Sequence, residues 1–196
     1  MVLKAWIWDL RAKFYDLLFN VAPLRSVKRE ERNMFLDLVS DLSFNSAMML
    51  DVGCGTGDFI PFSIEKGLVF GADISAEMIA RARDKLPHVD FIRADVCHLP
   101  FKDESMDFIS MVGLLEYFED PGKPLSEASR IAKDDARIVV SFSRQSILNL
   151  PRKLWGISFF VCPEEEITGL LKNSHLKSIK WAEGKIQTQI LCRKKL

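Results

Sequence analysis

Residues 48–60 read MMLDVGCGTGDFI, and the fold turns on how this stretch is taken. Its first half is a short apolar run ending on Asp51, as a buried strand does. Gly53, Gly55 and Gly57 follow at alternate positions. Glycines there let the chain turn tightly and let a ligand touch bare backbone, while the amides opening the next helix point at that ligand. In an open α/β sheet this first strand-to-helix loop lies at the topological switch point, where ligands bind.

The flanking segments repeat a strand–helix alternation. AMMLDV (47–52), GLVFGADI (67–74), HVDFIRADV (88–96), SMDFISMVGLL (105–115) and ARIVVSFS (136–143) read as strands. DFIPFSIEKG (58–67), SAEMIARARDKL (75–86) and DPGKPLSEASRIAK (120–133) read as helices, the second with Ser75 as N-cap and Met78, Ile79 and Ala82 at helical spacing. The alternation predicts a parallel sheet with right-handed crossovers.

A further helix, PEEEITGLLKNS (163–174), carries its glutamates in the first turn, where the helix dipole favours them. Two strand-like runs then meet near Ala182-Glu183-Gly184, a hairpin signal. Ahead of the sheet stand two helices, about 3–19 and 26–42, broken at Val21-Ala22-Pro23. The second is patterned to pack on the sheet edge or over the site. The expectation is one doubly wound α/β domain over 1–196, with a mostly parallel seven-stranded sheet ending in a C-terminal antiparallel hairpin. Residues 1–46 form a helical cap, 47–143 the ligand-binding core, and 144–196 a lid segment, a helix and the antiparallel strands.

Composition narrows the class. The 196 residues are 48% hydrophobic and 28% charged, globular values for one domain. Lysine plus arginine equals aspartate plus glutamate at 27 each, which argues against a dedicated nucleic-acid binder. Cys54, Cys97, Cys162 and Cys192 form no C-x-x-C pair and read as reduced thiols of a cytoplasmic protein. Cys97 and His98 are adjacent without a second Cys/His pair at ligand spacing, so no metal site is read there. Lys4, Asp9, Arg11, Lys13 and Asp16 interrupt the N-terminal apolar residues, which excludes a signal peptide or a membrane span there.

Three nucleotide readings compete for the glycine loop. No Lys-Ser/Thr follows the glycines, which rejects a P-loop. A dinucleotide fingerprint needs glycine where Asp58 stands, and that carboxylate would face the phosphates. A ligand without phosphates is favoured. Asp73, twenty residues after Gly53, stands at a distance suited to accepting two ribose hydroxyls. Ile74 can pack on a purine face. Asp95 ends the third strand, where a carboxylate can accept from an exocyclic adenine amine while the Val96 amide serves a ring nitrogen. One acid at a strand end is usually a cap or turn residue. Asp51, Asp73 and Asp95 in register behind G-x-G-x-G are hard to explain that way. They suit a ligand offering an ammonium, a ribose diol, an adenine and a positive sulfur.

At these residues the chain resembles the class I S-adenosylmethionine-dependent methyltransferases, particularly their small-molecule branch. LDVGCGTGDF is similar to that family's first motif, GADISAEMIARAR to its second, and ADVCHLPFKDESMDFI to its adenine-binding segment and fourth strand. The resemblance implies that Gly53, Gly55 and Gly57 line the methionine part and that Asp51 reaches the amino group, through water. It also implies that Asp73 binds ribose and that Asp95 and Val96 bind adenine. S-adenosylmethionine would be the cofactor and S-adenosylhomocysteine the product. Two departures stand out. Tyr117 in LLEYFEDP (114–121) occupies a place where histidine is frequent, and Ala132–Ala136 replaces a Pro-Gly-Gly-like turn.

Methyl transfer needs a base only when the acceptor loses a proton. Glu116, Tyr117 and His98 are the candidates, each with an ordinary reading as surface residue, lid aromatic or packing. The acceptor falls to segments outside the common core. Residues 2–29 hold Trp6, Trp8, Phe14, Tyr15 and Phe19 among basic residues, and 147–161 holds Trp155, Phe159 and Phe160 beside Arg152 and Lys153. These aromatics either complete the core or form an apolar lid that touches a membrane surface. FYDLLFNVAPLR (14–25) is similar to the N-terminal segment of phospholipid and quinone methyltransferases in this family, which implies a lipid- or quinone-like small-molecule acceptor. Two other readings stay open: a non-catalytic S-adenosylmethionine-binding partner or sensor, and a dehydrogenase.

Overall fold

The structure, a computed structural model, describes residues 5–19, 24–43, 47–60, 67–149 and 159–195. Two helices, α1 (Ala5–Phe19) and α2 (Leu24–Val39), precede the sheet. Then come β1 (Met48–Val52), β2 (Leu68–Asp73), α3 (Ala76–Lys85), β3 (Asp90–Arg93) and β4 (Met106–Met111). They are followed by α4 (Gly122–Ile131), β5 (Ala132–Ser143), α5 (Glu164–Asn173), β6 (Leu176–Glu183) and β7 (Gln187–Lys194). All seven strands form one sheet in the order β3-β2-β1-β4-β5-β7-β6. The first five are mutually parallel, while β7 runs antiparallel to both β5 and β6. The strand order turns back at β1, so the carboxyl ends of β1 and β4 open a crevice there.

Alternation along each strand divides the core into two layers. Leu50, Val52, Ile109, Met111, Ile138 and Val140 point to the face covered by α4 and α5 through Leu125, Ala128, Ile131, Ile167 and Leu171. Met49, Phe108, Val139 and Leu191 point to the opposite face and meet Phe35, Leu38 and Val39 of α2. On that face α3 packs Ile79, Ala82 and Leu86 against Phe91 and Cys54. The helix α2 therefore lies on a face of the sheet, because its apolar stripe fits the side chains of β1, β4, β5 and β7 rather than the edge.

Ser75 caps α3 as expected: its hydroxyl accepts from the Met78 amide at 3.1 Å. Other boundaries differ. The strand expected to start at Ala136 starts at Ala132, with a bulge in place of a turn. Met106 faces Ala132 while Phe108 faces Arg137, and Asp135 takes the left-handed φ of 63° that glycine would favour. Residues 61–66 of the helix expected over 58–67, and residues 150–158 of the aromatic segment 147–161, lie outside the described residues.

Gly71, in the middle of β2, has no room for a side chain: a Cβ there would stand 2.6 Å from the Phe91 ring and 3.0 Å from the Cys54 sulfur. Gly71→Ala is expected to cost about 1–3 kcal/mol of stability in a denaturant titration, as overpacking does.

Candidate functional site

A cavity of about 600 Å³ opens at the carboxyl ends of β1, β2 and β4. Its floor is the glycine loop. The amides of Gly53 and Cys54 both donate to the Ala72 carbonyl, at 2.7 and 3.1 Å, which ties the loop to β2. Gly53 and Gly55 line the cavity. Gly55 has φ 51°, and a Cβ built on it would meet no atom within 4 Å, so this backbone faces open space. Gly57 does not line the cavity. Its missing side chain serves packing, since a Cβ would stand 2.8 Å from Leu86 of α3.

The acids of the three strand ends do not share one environment. Asp73 lines the cavity, accepting the Gly55 amide on Oδ2 and the Ser75 amide on Oδ1, both at 2.9 Å. Its cap and its cavity wall are thus one carboxylate, and each oxygen retains a second lone pair. Burial raises its pKa, with the Ser75 and Gly55 amides opposing. Asp95 also lines the cavity while accepting the Cys97 amide at 2.9 Å, and Ile74 and Val96 line it too. Asp51 is elsewhere. It points to the α2 face, buried, and accepts from the Ser110 hydroxyl at 2.7 Å between β1 and β4. Alternation explains this: Leu50 and Val52 face the other layer, so the side chain between them turns away. Burial pushes the Asp51 carboxyl up to about 7, against the Ser110 hydrogen bond and with Asp73 and Asp58 adding to the rise.

The cavity has walls that the motifs do not supply. Trp8 of α1 lines it and meets Tyr117 edge to face at 4.8 Å, and Tyr117 meets Phe159 at 6.1 Å. Asp9, the next residue of α1, accepts the Ser75 hydroxyl at 2.6 Å and the Glu77 amide at 3.3 Å, so α1 is latched to the first turn of α3. Lys28 of α2 lines the cavity with its ammonium 2.6 Å from Asp58. Burial works against ionisation of Asp58, but Lys28 overrides it and the pKa is lowered. Sequence reasoning counted Lys28 among the basic residues of segment 2–29 and passed over Glu31; the two sit one helical turn apart and both face the cavity, and that spacing was the available signal.

Of the candidate bases, Tyr117 and His98 line the cavity, His98 from an exposed position 3.6 Å from Asp95. Glu116 does not. It is buried, 3% exposed, and lines a second cavity of about 370 Å³ with Phe142, Phe160 and Cys162. Tyr117, the next residue of the short 3-10 turn Leu115–Tyr117, lines the first cavity instead. The surface position expected of Glu116 is therefore corrected to a buried one.

A doubly wound sheet with a glycine loop, acids at β2 and β3, and no phosphate-suited third glycine defines a nucleoside-binding α/β domain. Residues 50–140 match the family model of the methyltransferase domain. A ubiquinone/menaquinone biosynthesis C-methyltransferase of Campylobacter jejuni is 33% identical over 118 residues, 56% of this chain and 48% of that one. A demethylmenaquinone methyltransferase of Lactiplantibacillus plantarum is 30% identical over 159 residues, 76% of this chain and 66% of that one. The chain spans about half the length of the Campylobacter relative. The magnesium protoporphyrin IX methyltransferase of Synechocystis, solved with S-adenosylhomocysteine bound, superposes with a TM-score of 0.79 at 17% identity, covering 99% of both chains. The chain belongs to the class I S-adenosylmethionine-dependent methyltransferase family.

Asp51 gives the site a pH signature. Its folded pKa of about 7 lies above the ordinary 3.8, so the folded state holds a proton that the unfolded state releases between those values. Stability from this group is full below about pH 4 and falls as pH rises through 7. Asp51→Asn keeps an acceptor for Ser110 and removes the ionisation. The variant is expected to gain on the parent by about 2–4 kcal/mol at pH 8.5 relative to pH 4.5. Urea titrations at the two pH values check this; equal differences would contradict it.

Proposed function

We propose that the chain transfers the methyl group of S-adenosylmethionine to a small acceptor that is apolar or amphipathic. The observation that carries this reading is the make-up of one cavity, whose lining joins acids and bare glycines to the aromatic rings of Trp8, Phe59, Tyr117 and Phe118. The residues fit the cofactor. Gly55 presents bare backbone to open space, and Asp73 and Asp95 add acceptors at neighbouring strand ends. In this reading Asp73 takes the ribose hydroxyls, Ile74 covers the purine, and Asp95 with the Val96 amide holds adenine. Gly53 and Gly55 accommodate the methionine part. Asp51 acts indirectly, by fixing β1 to β4 through Ser110 beneath it. The Gly57 role is packing of the loop on α3.

The cofactor supplies a methyl already activated by a positive sulfur. The protein's task is to align the acceptor with it and to exclude water. Trp8 and Tyr117, held edge to face, provide an apolar cover for that purpose. Tyr117 and His98 are the lining groups placed to take a proton from the acceptor; Glu116 is not. The quinone-named relatives support an amphipathic acceptor. So does the outer face of α1, which exposes Trp6 and Leu10 one turn apart and gives such an acceptor, or a membrane surface bearing it, a contact. No described helix is long and apolar enough to cross a membrane.

Two measurements test the reading. Calorimetry is expected to show S-adenosylhomocysteine binding at micromolar affinity, on the order of −8 kcal/mol, with no competition from NAD. Asp73→Ala is expected to weaken it well over tenfold, since hydrogen bonds to a charged acceptor are worth about 1.5–3 kcal/mol each. Turnover of methyl-labelled cofactor on a panel of quinols and small polar amines is expected to favour the quinols. Trp8→Ala is expected to reduce quinol turnover at least tenfold while cofactor affinity stays within a few-fold. Polar amines methylated as fast as quinols would end the apolar-acceptor reading, and cofactor binding without turnover on any acceptor would favour a binding or sensing role.

A further inference from the structure

Residues 94–105, which carry the chain from β3 to β4, form no helix, so their backbone groups need partners elsewhere. Four of them, Asp95, Val96, Cys97 and His98, line the cavity. This span is slung between two anchors. At its start the Ala94 amide donates to the Asp73 carbonyl at 2.9 Å. At its end α4 holds Leu99 by both its amide and its carbonyl. Glu127 accepts the Leu99 amide at 2.7 Å, while Arg130 donates to the Leu99 carbonyl at 3.1 Å and to the Phe101 carbonyl at 3.0 Å. Glu127 and Arg130 are three residues apart on the helix and are joined by a two-pronged pair at 2.7 and 2.9 Å. That pairing lowers the Glu127 pKa and keeps the carboxylate charged. Within the span, the His98 amide donates to the Asp95 carbonyl at 2.9 Å, and the Cys97 amide fixes one Asp95 carboxylate oxygen.

We propose that Glu127 and Arg130 are positioning residues for base selectivity: by fixing Leu99 they set how Asp95 and Val96 present themselves to the cavity, and with it the preference for adenine over hypoxanthine. This rests on the methyl-transfer reading, in which adenine lies at Asp95 and Val96. Neither Glu127 nor Arg130 lines the cavity, so the pair acts only through the loop. Adenine offers an amine donor beside a ring-nitrogen acceptor, and hypoxanthine offers a carbonyl oxygen beside a ring N–H. A carboxylate and an amide held in fixed order match the first pattern and oppose the second. The contrast is only as sharp as the placement of the two groups, because hydrogen bonds weaken steeply when bent. Ribose contacts at Asp73 do not depend on the Leu99 anchor, so loosening that anchor affects the base end alone. A planar guanidinium suits the task. It meets one carboxylate and two carbonyls in a rigid fork, which the single ammonium of a lysine cannot reproduce.

The test compares the affinities of S-adenosylhomocysteine and S-inosylhomocysteine by calorimetry. The parent chain is expected to favour the adenosyl ligand at least tenfold, as a site built on paired hydrogen bonds does. Arg130→Met is expected to narrow that preference to about threefold or less, by weakening the adenosyl ligand while the inosyl ligand stays within about twofold of the parent. Arg130→Lys keeps the charge and most of the stem, and so carries the test if the methionine variant does not fold. Its preference is expected to fall at least threefold. Lys133→Met removes a different α4-flanking ion pair, to Asp107, and is expected to keep the parent's preference. Circular dichroism confirms that each variant is folded. If the folded Arg130 variants keep the parent's preference, lose both ligands by the same factor, or match Lys133→Met, the positioning role is wrong while the methyl-transfer reading stands. A parent chain that binds both ligands alike overturns the positioning role in the same way. A parent chain that binds neither overturns the methyl-transfer reading and the positioning role with it.

Discussion

The hydrogen bond from the Gly55 amide to Asp73 joins the two motifs on which the site depends. It fixes the glycine loop to the end of β2, in concert with the paired amides of Gly53 and Cys54 on the Ala72 carbonyl. The same carboxylate receives the Ser75 amide, so the loop and the start of α3 are held by one group. Loop, strand end and helix start therefore move as a unit. Left-handed backbone at Gly53, Gly55 and Gly57 is tolerable there because it has no side chain to strain and is held from several sides.

Around that unit the molecule divides its labour. The loops at the carboxyl ends of β1, β2 and β3 give one part of the cavity, with Gly53, Gly55, Asp73 and Asp95. The N-terminal helices add to it: α1 contributes Trp8 and is latched to α3 through Asp9, while α2 contributes Lys28 and Glu31. Both helices reach the cavity through polar or amphipathic side chains and reach the body through apolar ones, as with Phe35 and Leu38. In the proposed reading acceptor choice is separable from cofactor geometry, which is how one fold comes to carry many transfer reactions.

Much of this was legible in the chain itself. The strand–helix alternation predicted the parallel sheet, and the Ala182–Gly184 signal predicted the hairpin, because hydrophobic period and turn chemistry act locally. The glycine loop and Asp73 were legible for the same reason: backbone freedom and a carboxylate at a strand end are properties of short segments. What escaped reading was direction. Nothing local says that Asp51 turns toward Ser110 on a strand 59 residues away, that Gly57 faces Leu86, or that Glu116 and Tyr117 face different cavities. Those follow from which layer each strand face meets. Lys28 read only as one of several basic residues in segment 2–29, because a lysine on a charged helix face looks solvated until α2 is laid across the sheet.

The strand order carries a consequence for synthesis. β7 lies between β5 and β6 and hydrogen-bonds to both, although it follows both in the chain. As the chain emerges from the ribosome, β5 presents an unpaired flank of Val139, Val140 and Phe142 until β7 arrives more than forty residues later. An unfinished sheet flank of that kind is a template for pairing with another chain. A chain that has docked β1 to β5 before β7 arrives is thus the folding state most exposed to misassociation.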